Sequence, residues 1–514
     1  MVNKTTRRSL LRAVPVASIV GMAGCTGSTD NPDTFTFSVP FFPPSLDPLQ
    51  NDGGWRGREI GVLESLFDIN REGGVDSQLV TDYSRSSDDL TWTFELRGDI
   101  VFHNGSELDA EAVAFSLERA FFNTDSILSG LPIEEVVIID ERTIEITTDG
   151  QMASLPAQLA RPAAGIIHPD SQSDDDSIEA QISTGPYQIE SYDPSGEIVL
   201  KHNEDYYGTT PEIDQAVYEQ VSDGQTRLLK LQNNEIQLAK NLPNSAAVEI
   251  EADDSVDLSL TEGVSEQIIV FNTERDPLND VRVRRAVLSS IDRQAIVDSV
   301  LEGIGSPAYT PWDAETVRWA NEDLNPNSYD IDQATSLLTD AGWELNDDGV
   351  RYRDGEPLEL VLWTYTERPN LPDVAEVMQA QLSEVGFDIE VQVTEWSALN
   401  EAKSNFDYDM FIGHWQMYLF PDPDVLTNYY DPDQNIIDSP YDNQRVVELL
   451  DEGRSTFDHD DRKTIYDEIQ EIVMEDVPVG FLTRQSYINS TWKKIEGYDP
   501  HPRIPKLELE KISI

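Results

Sequence analysis

Only one cysteine, Cys25, stands in 514 residues. Without a second thiol the chain can form no internal disulfide and no cysteine-ligated metal cluster. Basic residues are also scarce: 36 Lys and Arg face 97 Asp and Glu, a formal net charge of −61. Such a field repels nucleic acid and anionic lipid headgroups, which excludes both as partners of the surface. No apolar run reaches the roughly 20 residues that span a bilayer. Catalytic signatures are missing as well. The sequence contains no G-x-S-x-G and no H-E-x-x-H, and carboxylate pairs in so acidic a chain say nothing about catalysis. Asn346-Asp347-Asp348-Gly349 lacks the first Asp and the final Glu of a calcium loop. No internal repeat of a surface array is visible. A secreted hydrolase is the alternative class, and it has no motif to rest on; the expectation is a chain that is not an enzyme.

What is present begins with enough apolar material for real cores, 39% hydrophobic and 9% aromatic residues. The acid is spread through segments that read as folded. A surface of this kind stays hydrated in concentrated salt, where the Debye length falls to about 3 Å and self-repulsion is screened. The composition therefore points to a halophile, a halophilic archaeon by expectation, and says nothing about a ligand.

The N-terminus sets the expected compartment. Thr6-Arg7-Arg8-Ser9-Leu10-Leu11-Arg12 reads as a twin-arginine export signal, and an apolar run follows over residues 13–23. The run ends in Met22-Ala23-Gly24-Cys25, similar to a lipobox, with Cys25 as the lipidated first residue of the mature chain. Residues 1–24 are the expected signal peptide. Residues 25–34, rich in Gly, Ser, Asp, Asn and Pro, are the expected flexible tether. The body would lie outside the membrane on a lipid leash, touching the bilayer through that anchor alone.

Further along, residues 34–39 and 91–96 alternate as half-buried strands do. Asp109 caps a helical run over 110–122, with Val113, Leu117 and Ala120 on one face. Residues 136–139 and 143–147 pair as strands about Asp140-Glu141-Arg142. In the second half, a strand over 358–363, a helix over 372–385 ending at Gly386 and a strand over 387–393 make a βαβ unit, hence a parallel pair. Ligands of open α/β sheets bind beyond the carboxyl ends of the strands. That position holds Trp363, Tyr365, Arg368 and Asn370, and a second strand over 408–413 opens into His414-Trp415-Gln416-Met417-Tyr418. These rings line a recognition cleft on one reading and cap the sheet's core on the other.

Six stretches in order carry a family resemblance over some 250 residues. They are Pro44-Ser45-Leu46-Asp47-Pro48, the long run from Leu90 to Ala120, Thr184-Gly185-Pro186-Tyr187, the run from His202 to Gly208, Phe271-Asn272-Thr273, and the run from Val281 to Val297. The chain resembles the peptide/nickel class (family 5) of ABC-importer solute-binding proteins. The resemblance implies an α/β, two-lobed, type II periplasmic-binding-protein fold with a hinged ligand cleft. Lobe I would comprise 35–269 plus 484–514, including an inserted subdomain, and lobe II 270–483. The lobes would close on a small peptide or a carboxylate-bearing nickel chelate, and the closed monomer would dock on an ABC permease driven by its ATPase subunits. No cofactor is expected; nickel would be cargo.

For the site, the resemblance implies particular positions. Dipeptide binders of this class carry an aspartate three residues after a Trp that matches Trp415; here that residue is Tyr418, and Asp422 and Asp424 lie further on. Nickel-chelate binders hold a carboxylate with an Arg-Pro pair that matches Arg161-Pro162, chemistry for which a guanidinium fork is suited. Some supply a His from a C-terminal loop, where His501 stands within Tyr498-Asp499-Pro500-His501-Pro502-Arg503. Arg368-Pro369 could instead hold a peptide carboxylate. The expected ligand-binding residues are Arg161, Trp363, Tyr365, Arg368, Trp415 and Tyr418, with His501 as the metal contact.

Overall fold

The computed structural model describes residues 34–514 except 51, 175, 369 and 416–419, and the side chains of 262–265 and 415 also lie outside the description. The export signal, Cys25, Tyr418 and the Trp415 side chain are therefore not among the described groups. No helix of the described residues is long and apolar enough to cross a membrane.

Local chemistry sets the elements. The helix Ala110–Phe122 begins where the Asp109 carboxylate accepts the backbone N–H of Ala112 at 2.8 Å, satisfying one of the orphan donors of a helix start. Val113, Leu117 and Ala120 are buried on its inner face. Ile133–Asp140 and Thr143–Thr148 form the expected antiparallel pair, at one side of a four-stranded sheet. The strand Glu359–Tyr365, the helix Asn370–Glu384 and the strand Asp388–Thr394 make the parallel βαβ unit. Val374, Met378, Leu382 and Val385 are all buried against the sheet. Gly386, at φ +98°, ends the helix in a conformation that suits glycine. In Thr184-Gly185-Pro186-Tyr187 the glycine has a different reason: a Cβ there would stand 2.3 Å from the Gly61 carbonyl oxygen.

The main sheet is mixed and has eleven strands, ten in one continuous order and the short Gly305–Pro307 paired alongside Val479–Trp492. At its centre two long strands, Val256–Phe271 and Val479–Trp492, run antiparallel. On one side follow Met410–Trp415, Glu359–Tyr365 and Asp388–Thr394. On the other follow Leu238–Leu242, Thr34–Val39, Gln215–Gln220, Glu197–His202 and Tyr187–Asp193. Buried residues from Ile268 to Leu482 form one core. A separate core gathers Trp92, Phe94 and Leu117. Another joins Phe35, Phe37 and Tyr218 to the C-terminal Ile495, Leu507, Leu509 and Ile512, so the tail returns to the first half. The two long strands connect these cores. The expected lobe junctions at 269/270 and 483/484 fall inside them and not in loops. Their register shifts between Thr261 and Ser265 and again between Gln267 and Ile268, irregularities of the kind that bend a strand.

The halves also meet away from the sheet. The Ala153 N–H donates to the Arg454 carbonyl at 2.7 Å, and the Ser154 hydroxyl donates to Asp424 at 3.1 Å. The Phe457 ring lies 3.7 Å from the Arg85 guanidinium and 6.0 Å from Trp92. Of the two Asn-x-Ser/Thr sequons among the described residues, Asn104 sits on an exposed turn, whereas Asn489 is buried in the long strand Val479–Trp492 and cannot accept a glycan in the folded chain.

Candidate functional site

A cavity of about 330 Å³ opens where the two halves face each other. The first half contributes Trp55, Arg56 and Glu59 from the short helix Gly53–Glu59, Lys240 from Leu238–Leu242, and Tyr498, His501 and Arg503 from the returning tail. The long strands contribute Thr261, Tyr487 and Asn489, and the second half contributes Arg368.

At one wall, Glu59 is 1% exposed and ion-paired to both Arg56 and Lys240. Burial alone would raise its carboxyl, but Lys240 and Arg56 outweigh burial and hold it below the ordinary carboxylate value. The remaining basic groups differ in how they are engaged. Lys506 is tied to Asp68 at 2.6 Å. Arg368 and Arg503 form no ion pair with a carboxylate among the described residues. The lining thus presents five cations, Arg56, Lys240, Arg368, Arg503 and Lys506, against the carboxylates of Asp52 and Glu59. In a chain of net charge −61, this is a local reversal of sign.

His501 is buried, and its Nδ1 accepts the backbone N–H groups of Arg503 at 3.1 Å and Ile504 at 3.3 Å. A ring nitrogen that accepts two donors cannot carry the proton, so the neutral imidazole holds it on Nε2. Nε2 has no protein partner among the described residues. In this arrangement His501 offers an N–H, not a lone pair. Coordination of a metal through Nε2 would put a proton on Nδ1 against two N–H groups.

Burial pulls the His501 imidazole down to about 4, with further charges of both signs around it. Unfolded, the ring binds a proton near its ordinary value of 6.5; folded, it does so only near 4. The protein therefore loses stability from this group as pH falls through that window, and the contribution is complete above 6.5. Urea unfolding of the wild type and of His501→Gln from pH 7 to 4.5 is expected to show stability falling less steeply with acid in the variant, by up to one proton of linkage. Parallel curves would contradict the assignment.

The other expected residues divide. Trp363 packs on the second-half core, and Tyr365 is buried with its ring edge-on to Trp396 at 4.8 Å. Neither lines the cavity, so for these two the core reading of the sequence applies. Burial raises the Tyr365 phenol, while Arg368 alongside lowers it. Arg161 lies outside the cavity lining; its guanidinium sits 5.4 Å from the Phe420 ring and donates to Gln158 Oε1 at 3.1 Å. No carboxylate offsets its burial, which pulls it down to about 10. It is nevertheless close by, because the Pro162 carbonyl abuts Gly54, next to Trp55 of the cavity wall. Sequence reasoning missed Glu59 and Lys240. The Arg56-x-x-Glu59 spacing was readable as a helix pair, whereas Lys240 lies 181 residues away from Glu59.

Comparisons with known proteins identify the fold and the family. The nickel-binding protein NikA of Staphylococcus aureus is 26% identical over 490 residues, 95% of each chain. The dipeptide-binding protein of Escherichia coli is 27% identical over 465 residues, 84% of each. Among solved structures, the nickel ABC transporter protein of Bacillus halodurans is 26% identical with a TM-score of 0.81, covering 94% of this chain and all of the other. NikA from S. aureus in complex with Ni(L-His)2 has a TM-score of 0.75 over the same shares. The fold is thus the type II periplasmic-binding-protein fold of the peptide/nickel class. Residues 74–436, more than half of the chain, match the family described as bacterial extracellular solute-binding proteins, family 5 middle. The chain belongs to that family, the extracytoplasmic and non-enzymatic solute-binding components of ABC importers for peptides or nickel chelates.

Proposed function

We propose that the chain is a lipid-anchored binding protein of a halophile that captures a small solute bearing a free carboxylate, either a short peptide or nickel carried inside a carboxylate chelator. Export by the twin-arginine signal, lipidation at Cys25 and the tether 25–34 would hold it at the extracytoplasmic face. Lobe I (35–269 plus 484–514) and lobe II (270–483) pivot about the two long strands, and the closed monomer delivers its cargo to the permease and its ATPase subunits. The observation that carries the ligand class is the cationic lining of the cavity in a strongly acidic chain. A carboxylate there meets Arg368 from lobe II while Arg161 waits beside the cleft, and such charge-assisted pairs are stronger than neutral ones. His501 donates its Nε2–H to a ligand oxygen. The cavity lies at the small end of the usual range for ligand sites, about 300–1,000 Å³, which favours a compact cargo over a long peptide. Trp415, at the end of the strand Met410–Trp415, and Tyr418, three residues on in sequence, complete the proposed contact set.

The test is thermal unfolding of residues 25–514 in molar salt with di- to pentapeptides, their C-terminal amides, nickel plus histidine, and nickel alone. A ligand at 100 times its Kd stabilises by about 2.7 kcal/mol. Shifts are expected with carboxylate-bearing cargo and not with the amides or with nickel alone. His501→Gln, which keeps an N–H donor, should retain the shift that His501→Ala weakens. Equal shifts with amides and acids would overturn the carboxylate reading. Loss of a nickel–histidine shift in both His501 variants would show direct coordination.

A further inference from the structure

Beside the cavity described above, and separated from it by Arg503, lies a second cavity of about 450 Å³ between the same two lobes. Two guanidiniums in its wall, Arg484 and Arg503, are 7% and 6% exposed. Each side chain makes a single hydrogen bond among the described residues. Arg484 donates to the Thr310 carbonyl at 2.9 Å, and Arg503 donates to the Arg71 carbonyl at 3.4 Å. A guanidinium has five N–H donors, and a buried one left without partners is costly. The unused donors of both are not sealed in protein: none of their nitrogens is among the buried atoms that lack a partner, so these donors open onto the cavity.

Arg318 of lobe II also lines this cavity. Arg318 and Arg503 come together over Gly73 and Gly74 of lobe I. A Cβ on Gly73 would stand 2.7 Å from the Arg503 guanidinium carbon, and one on Gly74 would stand 3.1 Å from an Arg318 nitrogen. The lobe I backbone is thus bare where the two cations approach. Burial lowers both guanidiniums; the Arg318 charge lowers Arg503 further, against Asp313 and Glu72, while Asp422 favours the charge on Arg318 and Arg462 opposes it. Arg484 sits on the long strand opposite Glu266. Glu72, Glu266, Asp313 and Glu315 also line the cavity; among the described residues no ion pair joins Glu72, Asp313 or Glu315 to the three guanidiniums, and the charges of Glu266 and Asp313 favour the charged form of Arg484.

We propose that Arg484, Arg503 and Arg318 form a second carboxylate subsite, filled only when the lobes are closed. It rests on the proposed reading that the cargo of this cleft is anionic, and it adds that the preferred cargo carries two separated carboxylates, or is bound together with a free one. The planar, singly charged carboxylate matches the guanidinium fork. A phosphate would bring about twice the charge against four neighbouring acids. The anion bridges Arg318 of lobe II to Arg503 of lobe I and relieves their repulsion, so it favours the closed form.

Calorimetric titration of the mature domain distinguishes the cases. The probes are alanyl-alanine against alanyl-glutamate, each with and without sodium acetate or phosphate at constant ionic strength, in the wild type and in Arg318→Gln and Arg484→Lys. A preference of tenfold or more for alanyl-glutamate, falling below threefold in both variants, is the expected result if the second carboxylate belongs to the cargo. A rise in alanyl-alanine affinity with acetate but not phosphate, absent in both variants, is expected if the anion is separate. Equal affinities for the two dipeptides with no acetate effect would overturn the subsite and leave the anionic-cargo reading standing. Binding of neither dipeptide nor of nickel with histidine, acetate present or not, would overturn both.

Discussion

Glu59→Ala is expected to destabilise the folded domain by about 3–5 kcal/mol, the usual cost of removing one partner of a buried ion pair. Glu59 is the last residue of the helix Gly53–Glu59, a position where the helix end disfavours negative charge. It is held there because Arg56, one turn back on the same helix, and Lys240, on the strand Leu238–Leu242, converge on its carboxylate. Their side chains are 16% and 10% exposed, so without Glu59 two cations remain close together with little water. The backbone adds a second link, since the Leu507 N–H donates to the Glu59 carbonyl at 3.0 Å and ties the returning tail to this helix. Urea unfolding in molar salt would measure the loss; a change below 1 kcal/mol would mean that solvent reaches the pair. The Glu59→Ala, Lys240→Met double variant should recover part of the stability, because one of the two unpaired cations and their mutual repulsion are then gone. Since the folded carboxyl titrates below its ordinary value, this contribution is present above the carboxylate range and is lost as the pH falls through the lowered value.

Phe457→Ala is expected to weaken ligand binding about tenfold without touching the cavity. Phe457 belongs to the second half, between the helices Gln444–Ser455 and His459–Asp476, and packs on Arg85 and Trp92 of the first half. An aromatic face over a guanidinium contributes about 0.5–2 kcal/mol, and this contact exists only while the halves meet. Its loss shifts the open–closed balance, and apparent affinity falls with the fraction of competent molecules. Titration calorimetry with whichever cargo shifts the melting temperature gives the affinity, and small-angle scattering of the unliganded protein should report a larger radius of gyration. An unchanged Kd would mean that closure does not depend on this contact. Ser154→Ala, which removes the hydrogen bond to Asp424, should act in the same direction with a smaller effect.

Much of the fold is legible locally. The Asp109 cap, the apolar stripe of Val374, Met378 and Leu382, and the glycine after that helix depend on neighbours within a few residues, and the sequence displays them directly. The family stretches extend this legibility to the two-lobed architecture. The site was read only in part. Arg368 and His501 do line the cavity, Arg161 stands beside it, and Trp363 and Tyr365 belong to the core. An aromatic residue at the end of a strand looks the same in sequence whether it faces solvent, ligand or core, and only packing distinguishes these.

By itself, then, the sequence determined the acidic character of the chain, its helix caps and strand alternation and its βαβ unit, because these rest on composition and short-range periodicity, and it pointed to the family through six stretches that resemble it. Tertiary structure alone decided where that acidity reverses. Arg56, Lys240, Arg368 and Arg503 come from four separate segments and meet at one cleft, and the sign of the field there depends on distances that no local pattern encodes. It also decided the chemistry of His501, whose available nitrogen is a donor because two backbone N–H groups of its own tight turn occupy the other.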